Sequence, residues 1–172
     1  TDDQCRAFEL GNEDNGPTKF AYTEIARHGA AGIRAARPMA LIANSGTAFV
    51  DVTWLGMQGR RGLLDGMDAL CVHPYTNNST PLRSASPAKF RIHEEIGKLN
   101  DVVDGLGGMK WLWSTEFGWP NGDAQGEVVR AELYPRHMLV GAGAGLDLHG
   151  LYTWQRDYGI TGRPAEISVH HL

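Results

Sequence analysis

A parallel α/β fold is predicted by three features of the 172-residue sequence. Short apolar runs with strand character alternate with longer stretches whose apolar residues recur at helical spacing. These strand and helix pairs repeat at intervals of roughly 35 residues, as strand, turn and crossover helix require. Residues 109–120, MKWLWSTEFGWP, form an apolar run that ends on one carboxylate, Glu116, and then breaks at glycine and proline. That is the pattern of a buried strand delivering an acid to an open end. Period-two alternation assigns Leu112, Ser114 and Glu116 to one face and Trp111, Trp113 and Thr115 to the other. The bulky face is expected to meet helices and the lean face to line a tight interior.

Each element follows from local pattern. Residues 5–10, CRAFEL, read as a strand closed by the turn residues GNEDNGP. Residues 18–36 carry Phe20, Tyr22, Ile25, Ala26, Gly29 and Ile33 at helical spacing, and Arg37-Pro38 stops the helix. A second strand is expected over 39–43. A helix over 49–64 follows, weakened by Gly56, Gly59 and Gly62. DALCVH, 68–73, is the third strand, and a loop over 74–87 leads to a helix over 88–103. The strand at Met109 is the fourth. A helix over 127–142 and a fifth strand over 147–154, DLHGLYTW, complete the series. Residues 155–172 show no clear element. Five strands and four helices in alternation fit either a doubly wound sheet or a barrel.

Composition narrows the function. The net charge of −4 gives no basic footprint for nucleic acid or acidic lipid, so a neutral substrate fits better. No apolar run approaches the roughly 20 residues of a membrane span, and the first six residues lack the charged start and apolar centre of a signal peptide. Cys5 and Cys71 have no metal-like spacing and read as small buried residues. His28, His93, His137 and His149 fall in different elements without ligand spacing, so neither a metal nor a cofactor is expected. Gly105, Gly107 and Gly108 precede a strand, so the dinucleotide fingerprint is absent, as is a Gly-Lys-Ser/Thr phosphate loop. Nor is there a Gly-x-Ser-x-Gly elbow for a serine nucleophile.

What remains is a pair of acids. Glu13, in the pattern Glu9-x-x-Asn12-Glu13, follows the first strand, and Glu116 ends the fourth. Both lie at C-terminal strand ends, where parallel α/β folds gather their active sites. Two carboxylates at one mouth suit glycosidic cleavage, in which one group donates a proton and the other acts as nucleophile or base.

On these residues the sequence resembles the clan A retaining glycoside hydrolases. FELGNEDNG is similar to their acid/base segment at the fourth strand of a (β/α)8 barrel. DALCVHPY is similar to the His-x-Tyr segment after the sixth, and STEFGWP to the nucleophile segment of the seventh. YTEIARHGAAGIRAARP and the run from Arg130 to Trp154 are most similar to family 39 and its bacterial exopolysaccharide-cleaving relatives. The GNE and E-x-GWP fragments also resemble the family 17 β-1,3-glucanases, which the HPY segment fits less well.

The resemblance implies that residues 1–172 are one partial catalytic domain, strands four to eight of a TIM barrel. It implies a retaining mechanism on a β-linked oligo- or polysaccharide, with Glu116 as nucleophile and Glu13 as acid/base. Asn12 would bond the sugar 2-hydroxyl, and His73 and Tyr75 would flank the nucleophile. Trp154 and Trp119 would offer stacking platforms. Glu9 would face inward and pair with an arginine of the missing part. A carbohydrate-binding or scaffold fragment without turnover is the competing reading. A barrel of eight strands typically takes about 250 residues. Five strands alone would expose two sheet edges and an apolar interior. The missing part is therefore expected on another chain or segment, or replaced by self-association. The substrate class implies a secreted or extracellular site of action.

Overall fold

A computed structural model of the protein describes residues 5–16, 21–76, 91–108, 111–119 and 124–152. The elements in chain order are β1 (Ala7–Leu10), α1 (Tyr22–Ala36), β2 (Leu41–Asn44), β3 (Thr47–Ala48) and α2 (Val52–Gly59). They are followed by β4 (Ala69–His73), α3 (Ile92–Gly105), β5 (Trp111–Phe117), α4 (Ala124–Gly143) and β6 (Leu148–Leu151). All strand pairs in the sheet are parallel, in the order β1-β2-β4-β5-β6, with the two-residue β3 beside β4. Strand order follows chain order without the reversal that marks a doubly wound sheet. This resolves the open choice in favour of a barrel.

The helices build one continuous core on one face of the sheet. Tyr22, Ala26 and Ala30 of α1 and Ile92, Ile96, Leu99 and Val103 of α3 are buried at helical spacing. They join Ile42, Leu70, Val72 and Leu112 of the strands. The opposite face carries a cluster made of strand residues alone: Ala43, Ala69, Cys71 and Trp113, with Leu41 and Trp111 packed against it. Sequential order with helices on one side only is the curvature of a (β/α)8 barrel, here five main strands that do not close. Two acids tie strand beginnings together. Asp68 accepts from the Ile42 N–H at 2.9 Å and pairs with Arg34, and Asp147 accepts from the Leu112 N–H at 2.8 Å.

Three expectations need correction. The faces of β5 are exchanged: Leu112 packs toward the helices, while Trp111 and Trp113 line the inner face. The reason lies across the sheet, where the inner residues of β2 and β4 are Ala43, Ala69 and Cys71, and small residues leave room for indoles. The helix expected from residue 49 begins at Val52. Asp51 caps it by accepting from the Trp54 N–H at 2.9 Å, and Phe49 has a left-handed φ of 57° that no helix tolerates. Cys5 is exposed and only Cys71 is buried, and both are free thiols.

Candidate active site

The ordering device of the site is an irregularity in β5. Ser114 pairs with His149 and Phe117 with Leu151, so three steps on β5 face two on β6. One extra residue is accommodated between them, a bulge. Before it Trp111 and Trp113 point inward. After it Phe117 points outward, into a cluster with Trp119, Leu133 and Tyr134 of the α4 side. Glu116 would have followed Leu112 and Ser114 toward the helices, and the bulge turns it to the mouth instead. Gly150 lies opposite, where a Cβ would collide with the Thr115 backbone carbonyl, so this close approach requires glycine.

At the mouth the tightest assembly surrounds His73, which ends β4 and has no exposed surface. Its Nδ1 lies 3.1 Å from Glu13 Oε1 and 3.7 Å from Glu116 Oε2. Its Nε2 lies 3.1 Å from Thr115 Oγ1 and 3.6 Å from Glu9 Oε1. Burial opposes charge on the ring. Hydrogen bonds to Cys71, Glu9 and Glu13 and the field of Glu116 outweigh it, raising the His73 pKa to about 10. The imidazole is therefore a cation at neutral pH, held among three carboxyl groups. Burial would also raise the Glu9 carboxyl, but the bonds from His73 and from the Gly46 N–H, 2.7 Å away, hold it below its ordinary value. Gly46 is glycine because a Cβ would run into the His73 ring. Glu9 thus has its described partners within this chain, at Gly46 and His73.

Tyr75 donates to Glu116 Oε2 at 2.9 Å. Burial first, and then that hydrogen bond and the charge of Glu116, push its phenol well above the ordinary range. Glu13 has a positive φ of 49° and its N–H donates to Gly46 O at 2.8 Å, which fixes a conformation costly for a non-glycine residue. One oxygen each of Glu13 and Glu116 and a His73 nitrogen all lie within 4.8 Å of one another. Glu9, Cys71 and His73 form a second such group. Both have the donor types of a cation site, and both share His73.

Glu13 and Glu116 open onto a cleft of about 410 Å³ with Asn12 and Tyr75. Asn12 is exposed there, and its side chain has no hydrogen bond among the described residues. Ala48, Phe49 and Tyr152 also line the cleft. Sequence reasoning missed the two aromatics, although Asp51, as a helix cap, marks the preceding Phe49 as a loop residue. A larger hollow of about 600 Å³ at Cys5, Arg6 and Arg37 lies by the strand beginnings and gathers no acid/base pair. Trp119 is not a platform. It is 1% exposed, with Phe117, Tyr134 and His137 around its ring, because the chain turns outward after the bulge. Trp154 lies outside the described residues.

No protein-family model matches the sequence, and no curated protein matches it. Solved structures do share the fold. A family 39 glycoside hydrolase from Bacteroides cellulosilyticus WH2 superposes with a TM-score of 0.70 at 18% identity, over 91% of this chain and 38% of that one. An α-L-arabinofuranosidase from Thermotoga maritima gives a TM-score of 0.74 at 13% identity, over 95% of this chain and 39% of that one. A monomeric β-xylosidase from Caulobacter crescentus CB15 gives 0.68 at 17% identity, over 94% and 40%. The chain thus spans 38 to 40% of the length of these proteins, as an incomplete barrel does. At such identities the likeness carries the fold. These structural neighbours are clan A glycoside hydrolases, and the chain has the fold of part of their (β/α)8 barrel.

Proposed function

We propose that this chain carries the acid/base and nucleophile half of a retaining β-glycosidase acting on an oligo- or polysaccharide. The observation that supports it is the spacing of Glu13 and Glu116, whose nearest oxygens are within 4.8 Å. Both carboxyl groups therefore face one cleft, as a glycosidase pair must, and the retaining mode is inferred from the resemblance of the two segments that carry them.

The roles divide by partner. Glu116 Oε2 accepts from Tyr75 and faces His73, leaving Oε1 to attack the anomeric carbon. Glu13 Oε1 is held by His73, leaving Oε2 to carry the proton that the departing glycosidic oxygen takes up. Attack and proton transfer break the glycosidic bond and leave a glycosyl ester on Glu116. Glu13, now a carboxylate, takes a proton from water as its oxygen attacks the same carbon, and Glu116 is released. Fixed charge from His73 screens the two acids from each other throughout. Asn12, which lines the same cleft, is the proposed donor to the sugar 2-hydroxyl. Trp154 remains a proposed platform. β-Xylosides and β-mannosides are the first substrates to try, since proteins of similar fold are named for them. For a polymeric substrate the proposed site of action is outside the cell.

The test is covalent trapping. A 2-deoxy-2-fluoro-β-xyloside or β-mannoside with a good leaving group should add one sugar mass to the peptide bearing Glu116. Glu116→Gln should lose the label and roughly 10⁶-fold in turnover, the scale on which removal of a nucleophile acts. Sugar binding without label or hydrolysis would leave the non-catalytic binding fragment as the answer.

A further inference from the structure

We infer that Phe49 is the stacking platform for the sugar ring on the leaving-group side of the cleft, an assignment that rests on the glycosidase reading above. Phe49 is 50% exposed, lines the cleft beside Glu13, and belongs to neither core cluster of the barrel walls. Its φ of 57° is a left-handed conformation rarely adopted by a bulky side chain. Such strain persists only where the surroundings impose it, and here they do so from three sides. Phe49 forms an antiparallel bridge with His73, and the Thr47 hydroxyl donates to its carbonyl at 2.7 Å. Asn15 locks the flanking residues: its Oδ1 accepts from the Ala48 N–H at 2.9 Å and its Nδ2 donates to Asp51 Oδ2 at 3.0 Å.

Those locks decide the side. Asn15 and Glu13 belong to one loop, and the Glu13 N–H donates to Gly46 O, so the segment carrying Phe49 is fastened to the proton donor. In double displacement the proton donor contacts the glycosidic oxygen, hence the sugar that leaves. An exposed, rigidly held aromatic ring next to that oxygen presents a flat apolar face to the C–H face of a pyranose. Burying it against the rest of the barrel would not need the donor-side fastening.

The experiment compares two substrates of the full chain: xylotetraose, which expels a sugar, and β-xylosyl azide, which expels a three-atom anion. Phe49→Ala should cost roughly tenfold more kcat/KM on xylotetraose than on the azide, and Phe49→Tyr should restore the wild-type ratio. Equal losses on both substrates, or none, overturn the assignment and make Phe49 a packing residue. If the unsubstituted chain cleaves neither of these nor mannotetraose, the glycosidase reading fails separately. Calorimetry with xylotetraose and mannotetraose then decides the platform. Binding weakened by Phe49→Ala and recovered by Phe49→Tyr retains it as a sugar contact, and no such change with either sugar removes it.

Discussion

The two faces of the sheet are built on different principles. Toward the helices, Ile42, Leu70, Val72, Ile96 and Leu99 are all at most 2% exposed and belong to one apolar cluster. Toward the barrel axis there is a thin layer of Ala43, Ala69, Cys71 and Trp113, and above it the mouth, where Glu9, Glu13, Thr115 and Glu116 gather around His73. The outer face completes itself from neighbouring βα units. Among the described residues the inner one has strand partners on only part of its circumference. Stability and chemistry are therefore placed on opposite sides of the same five main strands.

Glu13→Gln probes the separation hardest. Loss of the acid/base should lower turnover of a β-glycoside by about 10² to 10⁴-fold, with a smaller loss for substrates whose leaving group needs no proton. The urea midpoint should stay close to wild type, because Glu13 is at the surface of the mouth. A large drop in that midpoint would mean the charged cluster also holds the fold.

The reciprocal change is Ile96→Ala. Removing a fully buried side chain from the helix-facing core should cost about 2 to 5 kcal/mol in urea unfolding. Activity per folded molecule should be unchanged, and an equal loss there would show the faces to be coupled.

A third test is pH dependence, in which the two faces have opposite signs. His73 at the mouth is raised from an ordinary 6.5 to about 10. Its contribution to stability is complete below about pH 6.5 and fades as pH climbs toward 10. His137 stacks on Phe117 in the helix layer, with ring centroids 4.1 Å apart, and neither nitrogen has a partner among the described residues. Burial, aided by His149, drives it down to about 3. Its contribution is complete above about pH 6.5 and is lost as pH falls toward 3. In stability against pH, His73→Gln should flatten the alkaline limb and His137→Phe the acid limb. Exchange of those two effects would reverse the assignment of buried charge.

The sequence made much of this legible because the determinants are local. Alternating strand and helix periods, Pro38 after α1 and the two acids at strand ends could each be read without knowing what lay across the sheet. What escaped depended on the neighbour. Trp111 and Trp113 look like helix-facing residues until Ala43, Ala69 and Cys71 are set opposite them. Trp119 looks like a mouth aromatic until the strand is known to turn outward. Phe49 sits in a run that reads as helical, and only the cap at Asp51 and its φ of 57° reveal a loop. Strand β3 is two residues long, too short for any alternation to register. Alternation marks Glu9 as inward-facing, but its bond to Gly46 joins residues 37 apart.

The bulge between Ser114 and Phe117 makes the site a matter of counting as much as of composition. In a strand each added or removed residue exchanges the two faces, so the acid at position 116 is addressed by parity. Every residue of the cluster could be retained and the cluster still be lost, simply by shortening the segment by one and restoring a regular ladder. Conversely, a regular strand of this family of folds becomes able to present a carboxylate at its end by gaining a single residue opposite a glycine.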